Sequence, residues 1–223
     1  MDINNGYKDL KLTESQIENN EHRQAVGGLW EEIGTLQFEF LRDHGLKPEH
    51  SLLDVGCGAL RGGIHFVNYL NTGNYYGIDI NSSLIDAGKR ELQKLNLINK
   101  QPHLLVDGEF QFYLFNQRFD YAIAQSLFTH LPFNHIHRCL INIDKVLKKG
   151  GKFFATFFET KDKFNLDGIT QSEDIVTFLD KDPYHYHYSI FPYLIEGLQL
   201  KVDYIGDWEH PRNQKMLCFS KHK

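Results

Sequence analysis

Apolar positions recur at helical spacing over the first fifty residues, and the spacing changes from residue 51 onward. Residues 1–12 are polar, and Thr13 with Gln16 three places on forms a capping-box pair that predicts a helix start. Gly27 and Gly28 interrupt that helix. A second follows on Leu29, Trp30, Ile33, Leu36, Gln37, Phe40 and Leu41, and Gly45 and Pro48 end it. Short apolar runs then take over: SLLDV, NYYGIDI, PHLLV, FDYAIA and GGKFFATFF, the last opened by a Gly-Gly turn. Between them lie helical stretches: IHFVNYL, SSLIDAGKRELQKL with Ser82 or Ser83 as its cap, and residues 133–147. Near-continuous apolar strands alternating with helices predict an α/β fold with a parallel sheet covered on both faces. After residue 160 the alternation pauses in a polar, loop-rich segment. If the YHYHY run from Tyr184 to Tyr188 is a strand, His185 and His187 share one face and the tyrosines the other. An apolar helix around 190–197 follows. KVDYIGDW and KMLCFSK then predict an antiparallel edge pair, joined by a turn containing His210 and Pro211.

The first strand runs into a stretch that gives up side chains, VGCGALRGG. Glycines after a strand permit positive φ and let a ligand approach the backbone, and ligands of open α/β sheets bind beyond the carboxyl ends of the strands. A dinucleotide site wants G-x-G-x-x-G. Counted from Gly56, its third glycine falls on Arg61, so the chain departs from that pattern. The next strand ends on Asp79, 25 residues after Asp54, where a carboxylate can accept hydrogen bonds from both hydroxyls of a ribose. The third ends in Val106-Asp107-Gly108, and the fourth is followed by Gln125, Ser126 and His130.

A length of 223 residues suits one domain, or one with an appendage. Lys and Arg number 24 against 29 Asp and Glu, and the net charge of −5 argues against a duplex-binding face, so a nucleic-acid partner is not expected. The three cysteines, Cys57, Cys139 and Cys218, match no metal spacing and read as free thiols in a reducing compartment. His130, His135 and His137, or His185 and His187, give no set of three spaced ligands with a carboxylate, so no metal is expected. The N-terminus has no apolar core of signal-peptide length and no run approaches the ~20 residues needed to span a bilayer, so a soluble, cytoplasmic protein is expected.

LLDVGCG, YYGIDIN, LLVDGEF, FDYAIAQSLFTHL and LKKGGKFFATFF, in that order and spacing, resemble the class I S-adenosylmethionine-dependent methyltransferases over about residues 50–159. The family's third glycine is replaced by Leu60. The resemblance implies a three-layer α/β/α Rossmann-like fold with a seven-stranded, mostly parallel sheet, its last strand antiparallel beside the fifth, plus N-terminal helices. Residues 1–48 would form a helical lid and 49–223 the methyltransferase domain, with an insert at about 160–188 building the acceptor pocket. By position, Asp54 with Gly56, Cys57 and Gly58 would face the methionine end of S-adenosylmethionine, Asp79 the ribose, and Asp107 and Gly108 the adenine, with Ile80 also among the cofactor-binding residues. Gln125 and Ser126 would lie next to the reacting methyl. Arg61 has two readings, a partner of the cofactor carboxylate or a bridge to the N-terminal helices. The pieces VGGLWEEIG, GCGALRGG and GDWEHPRNQKM are similar to a bacterial branch that modifies glycans, lipids or small metabolites. The expected reaction is in-line methyl transfer to oxygen or nitrogen of a small-molecule or glycan-precursor acceptor, leaving S-adenosylhomocysteine. His187, His185 and His130, in that order, are the candidate bases, and Tyr184, Tyr186 and Trp30 would line the acceptor. The rival readings are a non-catalytic scaffold that binds the cofactor and an NAD(P)-dependent oxidoreductase.

Overall fold

Thr13 caps the first helix as the sequence predicts. Its hydroxyl accepts the Gln16 N–H at 3.3 Å, and the Gln16 side chain accepts the Thr13 N–H at 2.9 Å. The computed structural model describes residues 6–163, 165–172 and 175–222; the first five residues of the polar N-terminal segment lie outside them. The chain divides into two compact units, Met1–Glu109 and Phe110–Lys223.

In the first unit, helices α1 (Glu14–Glu18), α2 (Glu21–Ala25) and α3 (Trp30–Asp43) precede strand β1 (Leu52–Val55). The first helix breaks earlier than Gly27, at Asn20, whose φ of 63° turns the chain. Asparagine tolerates that conformation because its short side chain hydrogen-bonds locally. Helix α4 (Gly63–Tyr69), strand β2 (Tyr75–Asp79), helix α5 (Ser82–Lys94) and strand β3 (His103–Val106) follow. β1 and β3 both pair parallel with β2. The cap of α5 is Asn81, not Ser82 or Ser83. Its backbone is extended, with φ −101°, and its side-chain oxygen accepts the Leu84 N–H at 3.0 Å, while both serines already lie inside the first turn.

The second unit contains β4 (Phe119–Ala124), α6 (Phe133–Val146), β5 (Leu147–Glu159), β6 (Ile169–Ser172), β7 (Ile175–Thr177), β8 (His185–Tyr186), α7 (Ile190–Leu194), β9 (Leu200–Gly206) and β10 (Lys215–Lys221). β4 runs parallel to β5, and β10 runs antiparallel to both β5 and β9, the predicted edge pair. The strand order along the main sheet is β3-β2-β1-β4-β5-β10-β9, the seven-stranded Rossmann-like order with its antiparallel strand beside β5. Stacked and edge-on rings of Phe128, Phe153, Phe157, Phe191 and Phe219 fill the second unit's core, all fully buried.

Three local expectations are corrected here. β5 starts at Leu147 and runs through Gly150 and Gly151, so the Gly-Gly pair lies inside the strand. The segment expected to be loop carries the antiparallel pair β6–β7, where short β-branched runs find each other. β8 holds only His185 and Tyr186, paired with Phe158 and Glu159, so His187 has left the strand and shares no strand face with His185.

Candidate functional site

The bare backbone after β1 is used at two glycines. Gly56 and Gly58 have φ of 72° and 52°, and the N–H groups of Gly56 and Cys57 both donate to the Ile78 carbonyl, at 2.8 and 3.1 Å. This folds the loop back over the end of β2. There Asp79 accepts the Gly58 N–H on Oδ2 and the Asn81 N–H on Oδ1, each at 2.8 Å. Burial pushes the Asp79 carboxyl above its ordinary range, and the backbone donors act against that shift. Each oxygen keeps acceptor capacity beyond these bonds.

Leu60 holds the position of the missing third glycine with a φ of 67°, a conformation bulky residues rarely adopt. Its side chain is fully buried, and two other glycines clear the space for it. A Cβ at Gly63 would lie 2.9 Å from the Leu60 side chain, and one at Gly88 2.7 Å. The strained backbone is thus held by packing from two helices.

Asp54 is buried against Tyr75, whose hydroxyl donates to Oδ2 at 2.7 Å, and burial raises its pKa to about 7. Arg61 sends Nη1 to the carbonyls of Val26 and Gly28, at 3.1 and 3.0 Å, so these bonds run to the N-terminal segment. Asn81 grips the same segment further up, its Nδ2 donating to the carbonyls of Tyr7 and Leu10 at 2.6 and 2.7 Å. Helix α3 packs directly on the loop. A Cβ at Gly34 would lie 2.6 Å from the Arg61 carbonyl oxygen, and one at Gly62 would overlap the Gln37 side-chain amide. A backbone oxygen cannot swing aside, so Gly34→Ala is expected to destabilise the protein by about 1–3 kcal/mol, read as a lowered thermal midpoint.

Trp30 is buried, with the Arg23 guanidinium 4.9 Å above its ring and His22 edge-on at 5.7 Å. Both residues bind Glu91. His22 Nε2 lies 2.8 Å from Oε1, and Arg23 donates through Nη2 to Oε2 at 2.9 Å and through Nε to Oε1 at 3.2 Å. At the end of β3, Asp107 accepts the Glu109 N–H at 3.0 Å, and Gly108 leaves room for Ile80, whose side chain a Cβ would approach to 2.8 Å.

In the second unit, Gln125 and Ser126 sit in a buried polar cluster with Thr156, Gln214 and His210. Ser126 has a φ of 56°, and its N–H donates to Thr156 Oγ1 at 2.7 Å. His130 Nδ1 lies 2.6 Å from Asp182 Oδ1, with about a quarter of each side chain exposed. His185 is fully buried and meets Thr177 Oγ1 through Nδ1 at 3.0 Å; burial lowers its pKa. His187 lies at the start of α7, its Nδ1 accepting the Ser189 N–H at 3.2 Å. Tyr184 and Tyr186 stack at 6.1 Å, and the Tyr186 hydroxyl donates to the Leu131 carbonyl at 2.6 Å. Three residues were missed by sequence reasoning: Asp182, His210 and Gln214. The polar HPRNQ turn next to the last strand was a signal for the last two, whereas nothing local marks Asp182. Among the described residues no group of His, Cys, Asp and Glu could hold a metal, and no helix is long and apolar enough to cross a membrane.

Residues 53–153 match a family model described as "Methyltransferase domain". The chain is 32% identical over 179 residues to a ubiquinone biosynthesis O-methyltransferase of Coxiella burnetii, an alignment covering 74% of this chain and 70% of that one. It is 25% identical over 126 residues to a geranyl diphosphate 2-C-methyltransferase of Saccharopolyspora erythraea, covering 54% of this chain and 41% of that one. The fold is similar to that of magnesium protoporphyrin IX methyltransferase from Synechocystis PCC 6803 with bound S-adenosylmethionine. The TM-score is 0.62 at 13% identity, covering 96% of this chain and 87% of the other. The chain belongs to the class I S-adenosylmethionine-dependent methyltransferases. It is an enzyme that takes its methyl group from S-adenosylmethionine.

The glycine loop fits that cofactor on its own chemistry. Asp54 and Asp79 place two carboxyl groups at the loop, and Arg61 directs its Nη1 donor to backbone carbonyls. Such a loop suits a ligand carrying a sulfonium and an ammonium. A dinucleotide pyrophosphate would meet carboxylates there.

Proposed function

We propose that this chain methylates a hydroxyl oxygen of a small molecule, with His130 as general base. The observation that carries this reading is the short His130–Asp182 contact, 2.6 Å at Nδ1. A carboxylate on Nδ1 fixes the imidazole's tautomer and orientation. A hydroxyl nucleophile needs such a base, whereas an amine already in its neutral form does not. The O-methyltransferase relative supports oxygen as the atom modified. His185 and His187 suit the role less well, the first being fully buried against Thr177 and the second occupied in the local turn before α7.

When bound, S-adenosylmethionine supplies a methyl group on a cationic sulfur. Asp79 would hold the ribose hydroxyls, Asp54 and the backbone of Gly56, Cys57 and Gly58 the methionine end, and Ile80, Asp107 and Gly108 the adenine. The N-terminal residues up to 48 act as the cover of the first unit's loop, pinned by Arg61 and Asn81, with Trp30 serving in the buried cluster that anchors it. Tyr184 and Tyr186 are the aromatic wall of the acceptor side. His130 takes the acceptor hydroxyl proton at Nε2, and Asp182 stabilises the resulting imidazolium.

The first test is calorimetric titration with S-adenosylhomocysteine, using NADH as control. Binding of the first alone is expected. Asp79→Ala should weaken it by about one to two decades, because hydrogen bonds to a charged group contribute roughly 1.5–3 kcal/mol. An unchanged dissociation constant would move the ribose elsewhere.

A further inference from the structure

The buried cluster of the second unit contains one polar group with nothing to bond. One terminal atom of the Gln125 amide lies 3.0 Å from Ser126 Oγ, 3.1 Å from His210 Nε2 and 3.4 Å from Gln214 Oε1. The other is buried and has no partner, although Gln125 is only 9% exposed. Which of the two is oxygen follows from the network.

His210 decides it. Its Nδ1 accepts the backbone N–H of Arg212 at 3.1 Å, so Nδ1 carries no proton and Nε2 does. The Nε2–H then points at Gln125 and requires an oxygen there. The Ser126 hydroxyl donates to the same oxygen. Gln214 Nε2 donates to Ser126 Oγ at 3.0 Å, and the Thr156 hydroxyl donates to Gln214 Oε1 at 2.7 Å. Each of these donors meets an acceptor, and the one unfavourable contact left is between the Gln125 and Gln214 oxygens, 3.4 Å apart and longer than the 3.1 Å of the opposed pair it replaces. With nitrogen in that position, the amide and the imidazole would oppose donor to donor. The turn that carries His210 is itself held. The Trp208 indole N–H donates to the Gln214 carbonyl at 2.9 Å, and its ring stacks on His210 with centroids 5.4 Å apart.

The unpartnered end of Gln125 is therefore its NH2 group. A buried donor left unpaired costs about 1–3 kcal/mol, so its retention calls for an explanation, and an oxygen of a bound ligand supplies one. We propose that Gln125, oriented by His210, is the donor that recognises an oxygen atom of the methyl acceptor. Gln125 binds; His210 is a positioning residue that keeps the amide from reversing. An acceptor that offers N–H or C–H at this point leaves the amide unpaired and is rejected. The inference rests on the methyl-transfer reading and narrows its substrate class to molecules with an accepting oxygen.

Two measurements test it. Long-range proton–nitrogen NMR spectra should show His210 with its proton on Nε2; a proton confined to Nδ1 reverses the amide and overturns the proposal. Phenol, catechol and benzoate, with toluene as the oxygen-free counterpart, are then titrated onto the protein saturated with S-adenosylhomocysteine. The oxygen-bearing probes should bind, and lose about tenfold in affinity in Gln125→Glu, whose carboxylate cannot donate. A similar loss is expected in His210→Phe, which keeps a ring on Trp208 but removes the donor, while toluene binding stays level across the three proteins. No binding of any oxygen-bearing probe, or equal binding in all three proteins, overturns the proposal. Failure of the wild type to bind S-adenosylhomocysteine instead sinks the methyl-transfer reading, a result the tautomer measurement does not depend on.

Discussion

Replacing Glu91 with alanine is expected to destabilise the protein by about 3–5 kcal/mol, the cost of removing one partner from a buried charged cluster. Its side chain is 2% exposed and His22 is fully enclosed, so His22 would be left against an apolar surround, while Arg23, a third exposed, can turn to water. At this chain length the thermal midpoint should fall by roughly 6–20 °C. Glu91→Gln, which keeps the shape and one acceptor, should fall less. The effect depends on pH in a definite direction. Burial alone would raise the Glu91 pKa, but His22 and Arg23 outweigh it and bring the carboxyl from 4.5 to about 2. A depressed carboxylate stabilises the fold fully above its ordinary pKa and loses that contribution as pH falls through the folded value. The gap between wild type and Glu91→Ala should therefore be widest near neutrality and shrink as the pH drops from 4.5 toward about 2. Melting curves recorded across that range check it, and a gap that widens on acidification would remove the carboxylate as its source.

His130→Ala should lower turnover by about two to four decades, the usual contribution of a positioned general base. The readout is S-adenosylhomocysteine formed with whichever hydroxylated acceptor supports the highest rate. Cofactor affinity should hold, because no step assigned to His130 concerns the glycine loop. Asp182→Asn should cost less than His130→Ala, since the imidazole survives and only its orientation and the stabilisation of its charged form are lost. Equal losses of turnover and cofactor affinity in His130→Ala would assign the histidine to folding.

What the sequence disclosed follows from distance along the chain. Gly56, Gly58 and Asp79 were legible because each stands at a strand end, and strand ends are marked by apolar runs stopping at glycine or aspartate. Thr13 and Gln16 were legible because both halves of a capping box lie within one turn. The His130–Asp182 pair spans 52 residues and the Gln125–His210 contact 85, so neither exists until the second unit has folded. Asn81 was passed over as a cap in favour of the serines beside it, because the choice among adjacent cap formers is made by backbone φ rather than by residue type. Leu60 was visible as a departure from the glycine pattern. Its resolution, space cleared at Gly63 and Gly88, needed helices that the loop alone does not announce.

The hold on the N-terminal segment sets which changes that segment tolerates. Arg61 and Asn81 hold Val26, Gly28, Tyr7 and Leu10 by their carbonyl oxygens, which every amino acid possesses. At Tyr7, Leu10 and Val26 these bonds ask for no particular side chain, whereas Gly28, with a φ of 64°, is held to glycine by its backbone; the count of residues between the four is fixed. Losing or gaining a single residue between Leu10 and Val26 would shift one pair of carbonyls out of register with its donor. Substitution at Tyr7, Leu10 or Val26 would leave these bonds in place, and substitution at Gly28 would not.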